Sequence, residues 1–282
     1  MSQLLSVEEL IRLAIQEDVG DGDHTSLATI PAEAMGKAKL LIKEEGILAG
    51  VQVAEIVFRE FDPLIKFHSH IADGSYVYVG DIAFEVTGPV RSILTAERLV
   101  LNYIQRMSGI ASHAFQLVQL LEGLPTRLLD TRKTTPNMRI FEKLAVRLGG
   151  GYNHRFGLFD MILIKNNHID FAGGIKAAVE RTKDYLKSNG KKLEIEIEVR
   201  NFDELNEVMQ LDGIQRVMLD NFSPANLQNA IKIINGKFET EASGGITEQT
   251  LREYAETGVD FISVGALTHQ IKSLDMSLRA VV

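Results

Sequence analysis

The stretch Met161-Ile162-Leu163-Ile164-Lys165 is a short apolar run that ends abruptly in a charged residue, and a helical pattern follows it. Upstream, Leu128-Leu129 leads into Asp130-Thr131-Arg132-Lys133 in the same way. Downstream, Ile195-Glu196-Ile197 leads to Glu198, and Val217-Met218-Leu219 leads to Asp220-Asn221. Residues 238–242 lead to Ser243-Gly244-Gly245, and Phe261-Ile262-Ser263-Val264 leads to Gly265. Counted from Lys133, these strand ends are spaced by 32, 33, 22, 23 and 22 residues. That is the cadence of successive βα units, so the second half of the chain is expected to form an α/β barrel-like fold.

In such barrels the functional residues sit at the C-terminal ends of the strands. Here those ends carry Lys133, Lys165, Glu198, Asp220 and two glycine turns. Residues 130–168 hold seven cations and three anions, although the whole chain has a net charge of −8. A positive cluster in an acidic protein points to a focused site for a multiply anionic small molecule. Lys143 and Arg147 fit a solvated helix face equally well. Arg132-Lys133 and His154-Arg155 do not, because they flank a strand or the turn Gly149-Gly150-Gly151. Glu198 and Asp220 could form salt bridges only, or could hold Mg²⁺ or a sugar hydroxyl of a phosphorylated substrate. Ser243-Gly244-Gly245 and Val264-Gly265-Ala266 follow the last two strands, where barrel phosphate sites are frequently built.

The 282 residues are 45% hydrophobic and 24% charged, an ordinary globular mixture with enough chain for a large core. The acidic balance argues against a nucleic-acid binder. There is no cysteine, which removes disulfides, thiolate metal sites and a catalytic thiol, and suits a reducing cytoplasm. No basic start with an unbroken apolar stretch is present, and no segment is long and apolar enough to span a bilayer, so a soluble cytoplasmic protein is expected. Walker A, G-x-G-x-x-G and G-x-S-x-G patterns are all missing.

Toward the N-terminus, Ser6 and Glu9 have capping-box spacing before a helical apolar face. Residues 37–43 and 76–86 read as strands, with turns at Asp73-Gly74 and Gly80-Asp81, and residues 95–107 read as a helix. The expected division is an α/β domain over residues 1–110, a barrel domain over 111–270, and a C-terminal segment, 271–282, packing back on the first domain.

Several motifs along the chain carry a resemblance. They are Thr95-Ala96-Glu97-Arg98, Ser108-Gly109-Ile110-Ala111, Asp130-Thr131-Arg132-Lys133-Thr134-Thr135-Pro136 and residues 149–155 with Gly157. Leu163-Ile164-Lys165 with Asn167-His168-Ile169, Leu219-Asp220-Asn221 and Glu241-Ala242-Ser243-Gly244-Gly245-Ile246 complete the set. In this order they closely resemble the quinolinate phosphoribosyltransferase family across essentially the whole chain. Two departures stand out: Asn166 where the family usually has an acid, and Asn137 where it usually has glycine.

The resemblance implies an incomplete, seven-strand α/β barrel preceded by an N-terminal α/β sandwich domain. It implies transfer of the phosphoribosyl group of phosphoribosyl pyrophosphate (PRPP) to quinolinate, with decarboxylation and with Mg²⁺. It places Arg98, Arg132, His154, Arg155 and Lys165 around quinolinate, with Thr131 beside them. Lys133, Glu198 and Asp220 become the catalytic group facing PRPP, the two acids also holding Mg²⁺. Ser243, Gly244, Gly245, Val264, Gly265 and Ala266 would hold the 5′-phosphate, with His269 nearby. It further implies a homodimer in which Arg98 reaches the partner's site. Guanidinium groups suit the substrates, since they bind carboxylates bidentately. The competing readings are a paralogue acting on another ring acid such as nicotinate, a Schiff-base aldolase built on Lys165, and a regulator that binds PRPP without turnover.

Overall fold

The computed structural model describes residues 5–281. The start of the chain, residues 1–4, on which the reading of a non-basic start partly rested, lies outside them. In chain order the elements are α1 (Val7–Val19), α2 (His24–Thr29), β1 (Met35–Ile42), β2 (Gly46–Ile47), α3 (Val51–Phe61), β3 (Lys66–Ser69), β4 (Tyr76–Val77), β5 (Ile82–Pro89) and α4 (Val90–Leu120). There follow β6 (Arg127–Leu129), α5 (Arg139–Leu148), β7 (Ile162–Ile164), α6 (Asn166–Ala172), α7 (Ile175–Ser188), β8 (Ile195–Val199), α8 (Phe202–Val208) and β9 (Arg216–Asp220). The last are α9 (Pro224–Ile234), β10 (Glu239–Ser243), α10 (Glu248–Ala255), β11 (Phe261–Ser263), α11 (Ala266–His269) and β12 (Met276–Val281). The chain divides into two compact units.

The first unit gathers the chain up to Phe115, the segment Thr134–Gly150 and everything from Leu267 onward. Its four-stranded sheet has the order β12-β1-β5-β3. Ala38, Leu40 and Ile42 alternate along β1 and are buried, as the period of two requires for a strand with one core face. Phe58 from α3 and Phe67 and Phe84 from the sheet stack at centroid distances of 4.6 to 6.2 Å. The expected cap on α1 is present: Ser6 Oγ accepts from the Glu9 amide, and Glu9 Oε2 accepts from the Ser6 amide. The strand read over residues 76–86 is two strands, β4 and β5, broken where Gly80 turns with φ +97°.

Residue 110, the expected domain boundary, lies inside α4, which runs without interruption from Val90 to Leu120. Residues 134–150, expected in the barrel, belong to the first unit. There Phe141 stacks on Tyr103 at 4.8 Å, and buried Glu142 pairs with Arg106 at 2.6 Å. Lys143 is also buried rather than solvated, because α5 turns Phe141 through Lys143 inward, whereas Arg147 is exposed as expected. The final strand β12 pairs antiparallel with β1. Gly109 makes this return possible, since a Cβ there would collide with the Lys272 carbonyl.

The second unit is a parallel sheet of order β6-β11-β10-β9-β8-β7. Pairing of β11 with β6 brings the last strand of the series beside the first. On the other side of β6, Leu129 makes a single parallel bridge to Tyr152. This one-residue bridge occupies the position of the seventh strand. Among the described residues no pairing joins Tyr152 to β7, so the barrel is open there. All five residues of β8 are buried, including Glu196 and Glu198. Alternation puts Ile195, Ile197 and Val199 on one face and the two acids on the other.

Candidate active site

The strand ends of the second unit surround a cavity of about 320 Å³. Thr131, Arg132 and Lys133 enter it from the end of β6, His154 and Arg155 from beyond Tyr152, and Leu163 and Lys165 from β7. Met218, Glu241, Ser243 and Ser263 complete the lining. The structure therefore collects Thr131, Arg132, Lys133, His154, Arg155, Lys165 and Ser243 from segments separated by more than a hundred residues.

Each cation is held by local geometry. The Lys133 amide donates to Thr131 Oγ1 at 3.0 Å, tightening the turn after β6. The Lys165 amide donates to His168 Nδ1 at 2.9 Å, so the histidine three residues on caps the start of α6. Arg155 Nη1 donates to the Met161 carbonyl at 3.2 Å. The next two amides, of Phe156 and Gly157, both donate to the Asp160 carboxylate. Burial, and then the charge of Arg132, holds the Arg155 pKa below its ordinary value. Two guanidinium groups that repel each other in a cavity favour an anion bound between them.

Glu198 lies 3.8 Å from the Lys165 ammonium, measured from Oε2 to Nζ. Its pKa is raised, first by burial and then by the negative charge of Asp220, while Lys165 and the Asn166 amide pull it back. Asp220, at the end of β9, accepts from Asn221 Nδ2 at 2.7 Å. Asn221 has φ +58°, and its amide donates to the Ser243 carbonyl. Gly244 has φ +95°, and a Cβ there would collide with the Asn221 side chain. Only glycine fits this contact, which locks the end of β9 to the loop after β10. Gly245, Val264, Gly265 and Ala266 belong to the same unit at the ends of β10 and β11 but do not line the cavity. Arg98 and His269 belong to the first unit, where both are exposed.

Three further acids support the site. Asp130 is fully buried and accepts from Asn153 Nδ2 at 2.6 Å and from the His154 amide at 2.8 Å, pinning that turn to the end of β6. Glu196 and Glu241 are also fully buried, and both face His154 Nε2, at 3.0 and 3.4 Å. Glu196 precedes Glu198 by two residues, so strand alternation was a usable signal for it. Burial lowers the His154 pKa, while hydrogen bonding and charge from Glu196 and Glu241 pull it up. Burial, then Glu241, pushes Glu196 up to about 7. The Arg155 amide donates to His154 Nδ1 at 2.7 Å, which opposes a second proton on the ring. This contact favours the ring form that carries its proton on Nε2, the nitrogen that faces the two carboxylates.

Asn137 has φ +63°. This explains one departure from the family pattern, since asparagine tolerates the left-handed conformation better than other residues with a side chain. Asn166 opens α6, and its buried Oδ1 has no hydrogen-bond partner.

The profile of the quinolinate phosphoribosyl transferase C-terminal domain matches residues 110–279, and that of the N-terminal domain matches residues 23–108. The chain is 44% identical over 285 residues to quinolinate phosphoribosyltransferase (decarboxylating) 1b of Nicotiana tabacum, covering 96% of this chain and 81% of that protein. It is 40% identical to the probable nicotinate-nucleotide pyrophosphorylase (carboxylating) of Bacillus subtilis, covering 97% and 93%. The solved nicotinate-nucleotide pyrophosphorylase of Francisella tularensis superposes with a TM-score of 0.90 at 44% identity, over 98% of this chain and 96% of that one. With both domain profiles matched in order and the cationic cavity at the strand ends, the chain belongs to the quinolinate phosphoribosyl transferase family.

Proposed function

We propose that this chain is a cytoplasmic enzyme that transfers the phosphoribosyl group of PRPP to quinolinate, releasing pyrophosphate and CO₂ and giving nicotinate mononucleotide in de novo NAD biosynthesis. The observation that carries this reading is the convergence of Arg132, Lys133, Arg155 and Lys165 on one cavity in a chain of net charge −8. Quinolinate brings two carboxylates and PRPP brings phosphate groups, so both substrates need such a cavity. Arg132, Arg155 and Lys165 hold the ring acid. Ser243 and the glycine turns 244–245 and 264–266 hold the 5′-phosphate, with His269 nearby.

The pyridine nitrogen attacks ribose C1 as the bond from C1 to the pyrophosphate oxygen breaks, and pyrophosphate leaves with the electron pair. Lys133 lowers the cost of the charge that develops on it. Glu198 and Asp220 favour the positive charge that develops on the sugar. The pyridinium then accepts the electron pair from the breaking bond to the 2-carboxylate, CO₂ departs, and a proton takes its place on the ring. The chain supplies no nucleophile; its residues position the reactants and balance charge.

Glu198 and Asp220 fit Mg²⁺, because they are hard oxygen donors whose mutual repulsion raises the Glu198 pKa and is relieved by a cation. When bound there, partly through substrate and water, Mg²⁺ would supply neutralisation of the pyrophosphate. The unit of function is a homodimer in which the exposed Arg98 on α4 completes the partner's site.

Release of CO₂ from 2-carboxyl-labelled quinolinate, dependent on PRPP and Mg²⁺, tests the reading. Comparable turnover of nicotinate would favour a paralogous substrate. A borohydride-trapped adduct on Lys165 would favour the aldolase.

A further inference from the structure

A cavity built for an acid has a buried acid in its own wall. Glu241 lines it with none of its surface exposed, and Glu196 lies beside it behind His154. A bare carboxylate there would repel a dianionic ligand, so these two groups need an account that the transfer reaction does not give.

Their partners provide one. Both face His154 Nε2. Arg216 lies 3.5 Å from Glu241 and packs over the Phe261 ring at 4.0 Å. In the sheet register Arg216 sits opposite both Glu196 and Glu239, in the middle of the acidic layer. On its other edge, His154 Nδ1 accepts from the Arg155 amide, while Asp130 accepts from the His154 amide. The histidine thus turns both ring nitrogens toward protein groups. Its ring spans the space from two strands to the backbone of a cavity arginine.

We propose that Glu196 and Glu241, with Arg216 beside Glu241, are positioning residues that fix the His154 ring and, through Nδ1, the backbone of Arg155, so that recognition of the aromatic diacid depends on two carboxylates that do not bind it. This rests on reading the cavity as the diacid site. His154, Glu196 and Glu241 each offer one atom within 4.8 Å of the others, a spacing a metal could use. Arg216, which pairs with Glu239 at 2.9 Å and reaches Glu241 at 3.5 Å, already brings positive charge to this layer, and Nε2 stands 3.0 Å from Glu196.

Substitutions that keep shape separate positioning from simple charge. Glu196→Gln and Glu241→Gln each remove a negative charge near the site. Electrostatics alone would then tighten binding of a dianion and lower the quinolinate KM. Loss of the brace predicts the opposite: KM for quinolinate rises about tenfold or more, with KM for PRPP and kcat within about twofold. In a His154→Gln background the same changes have no further effect. An unchanged or lowered quinolinate KM would overturn the proposal, as would full additivity with His154→Gln. Nitrogen-15 NMR of the wild-type protein at neutral pH, without substrate, tests the geometry apart from folding of the variants and apart from the proposed activity. The expected spectrum shows His154 protonated at Nε2 and not at Nδ1. A ring protonated at both nitrogens, the opposite tautomer, or loss of the Nε2 proton on titration with Zn²⁺ would each overturn it. A correct spectrum with no turnover of quinolinate would uphold the brace while rejecting the proposed substrate.

Discussion

Lys165 and Glu198 meet across neighbouring parallel strands, Nζ 3.8 Å from Oε2, with the lysine side chain half exposed and the glutamate nearly buried. The pair sets a cation for the ring acid beside an acid that faces Asp220. Glu198→Gln and Asp220→Asn keep volume and remove charge. We expect both to reduce kcat by at least tenfold while leaving the quinolinate KM within a few fold, because the charge they balance develops during the reaction. Steady-state kinetics with each substrate varied checks this. A change confined to thermal stability would reduce the two acids to salt-bridge partners.

Arg132→Ala and Arg155→Ala should each raise the quinolinate KM. Loss of a guanidinium–carboxylate contact in a desolvated cavity costs on the order of 2–4 kcal/mol. Isothermal titration with quinolinate measures it directly, and unaltered affinity in both variants would remove the arginines from the acid's site.

At φ +63° Asn137 does the work of a glycine. Asn137→Gly should be nearly neutral in melting temperature. Asn137→Ala should cost on the order of 1 kcal/mol, because its Cβ is penalised in this region without a side-chain hydrogen bond to compensate. Equal melting temperatures for the two variants would mean that the loop relaxes.

Arg98→Ala tests the proposed dimer. As a surface substitution it should change stability by less than about 0.5 kcal/mol, yet abolish turnover. Mixing it with inactive Lys133→Ala subunits should restore activity after exchange, because a mixed dimer then has one site with both residues intact. Mixed dimers that form but stay inactive would confine Arg98 to its own chain.

The strand ends were legible in the sequence because strand identity is local. An apolar run closing on Lys133, Lys165, Glu198 or Asp220 carries its own boundary, and the repeated spacing orders the units. The excess of cations over residues 130–168 likewise announces an anion site, because charge balance is a property of composition. The seventh strand was not visible, since Tyr152 joins the barrel through a single bridge to Leu129 and has no apolar run around it. Placement of 134–150 in the first unit was also hidden, because it depends on Phe141 meeting Tyr103 and Glu142 meeting Arg106. The acids behind His154 are the clearest case. Glu196 and Glu241 are 45 positions apart in sequence. They become neighbours through β9, where Met218 pairs with Glu241 and Arg216 with Glu196. Periodicity tells which face of a strand a residue takes. Only lateral pairing and register decide which residues of other strands share that face, and these are set by the packing of the whole barrel rather than by any one segment.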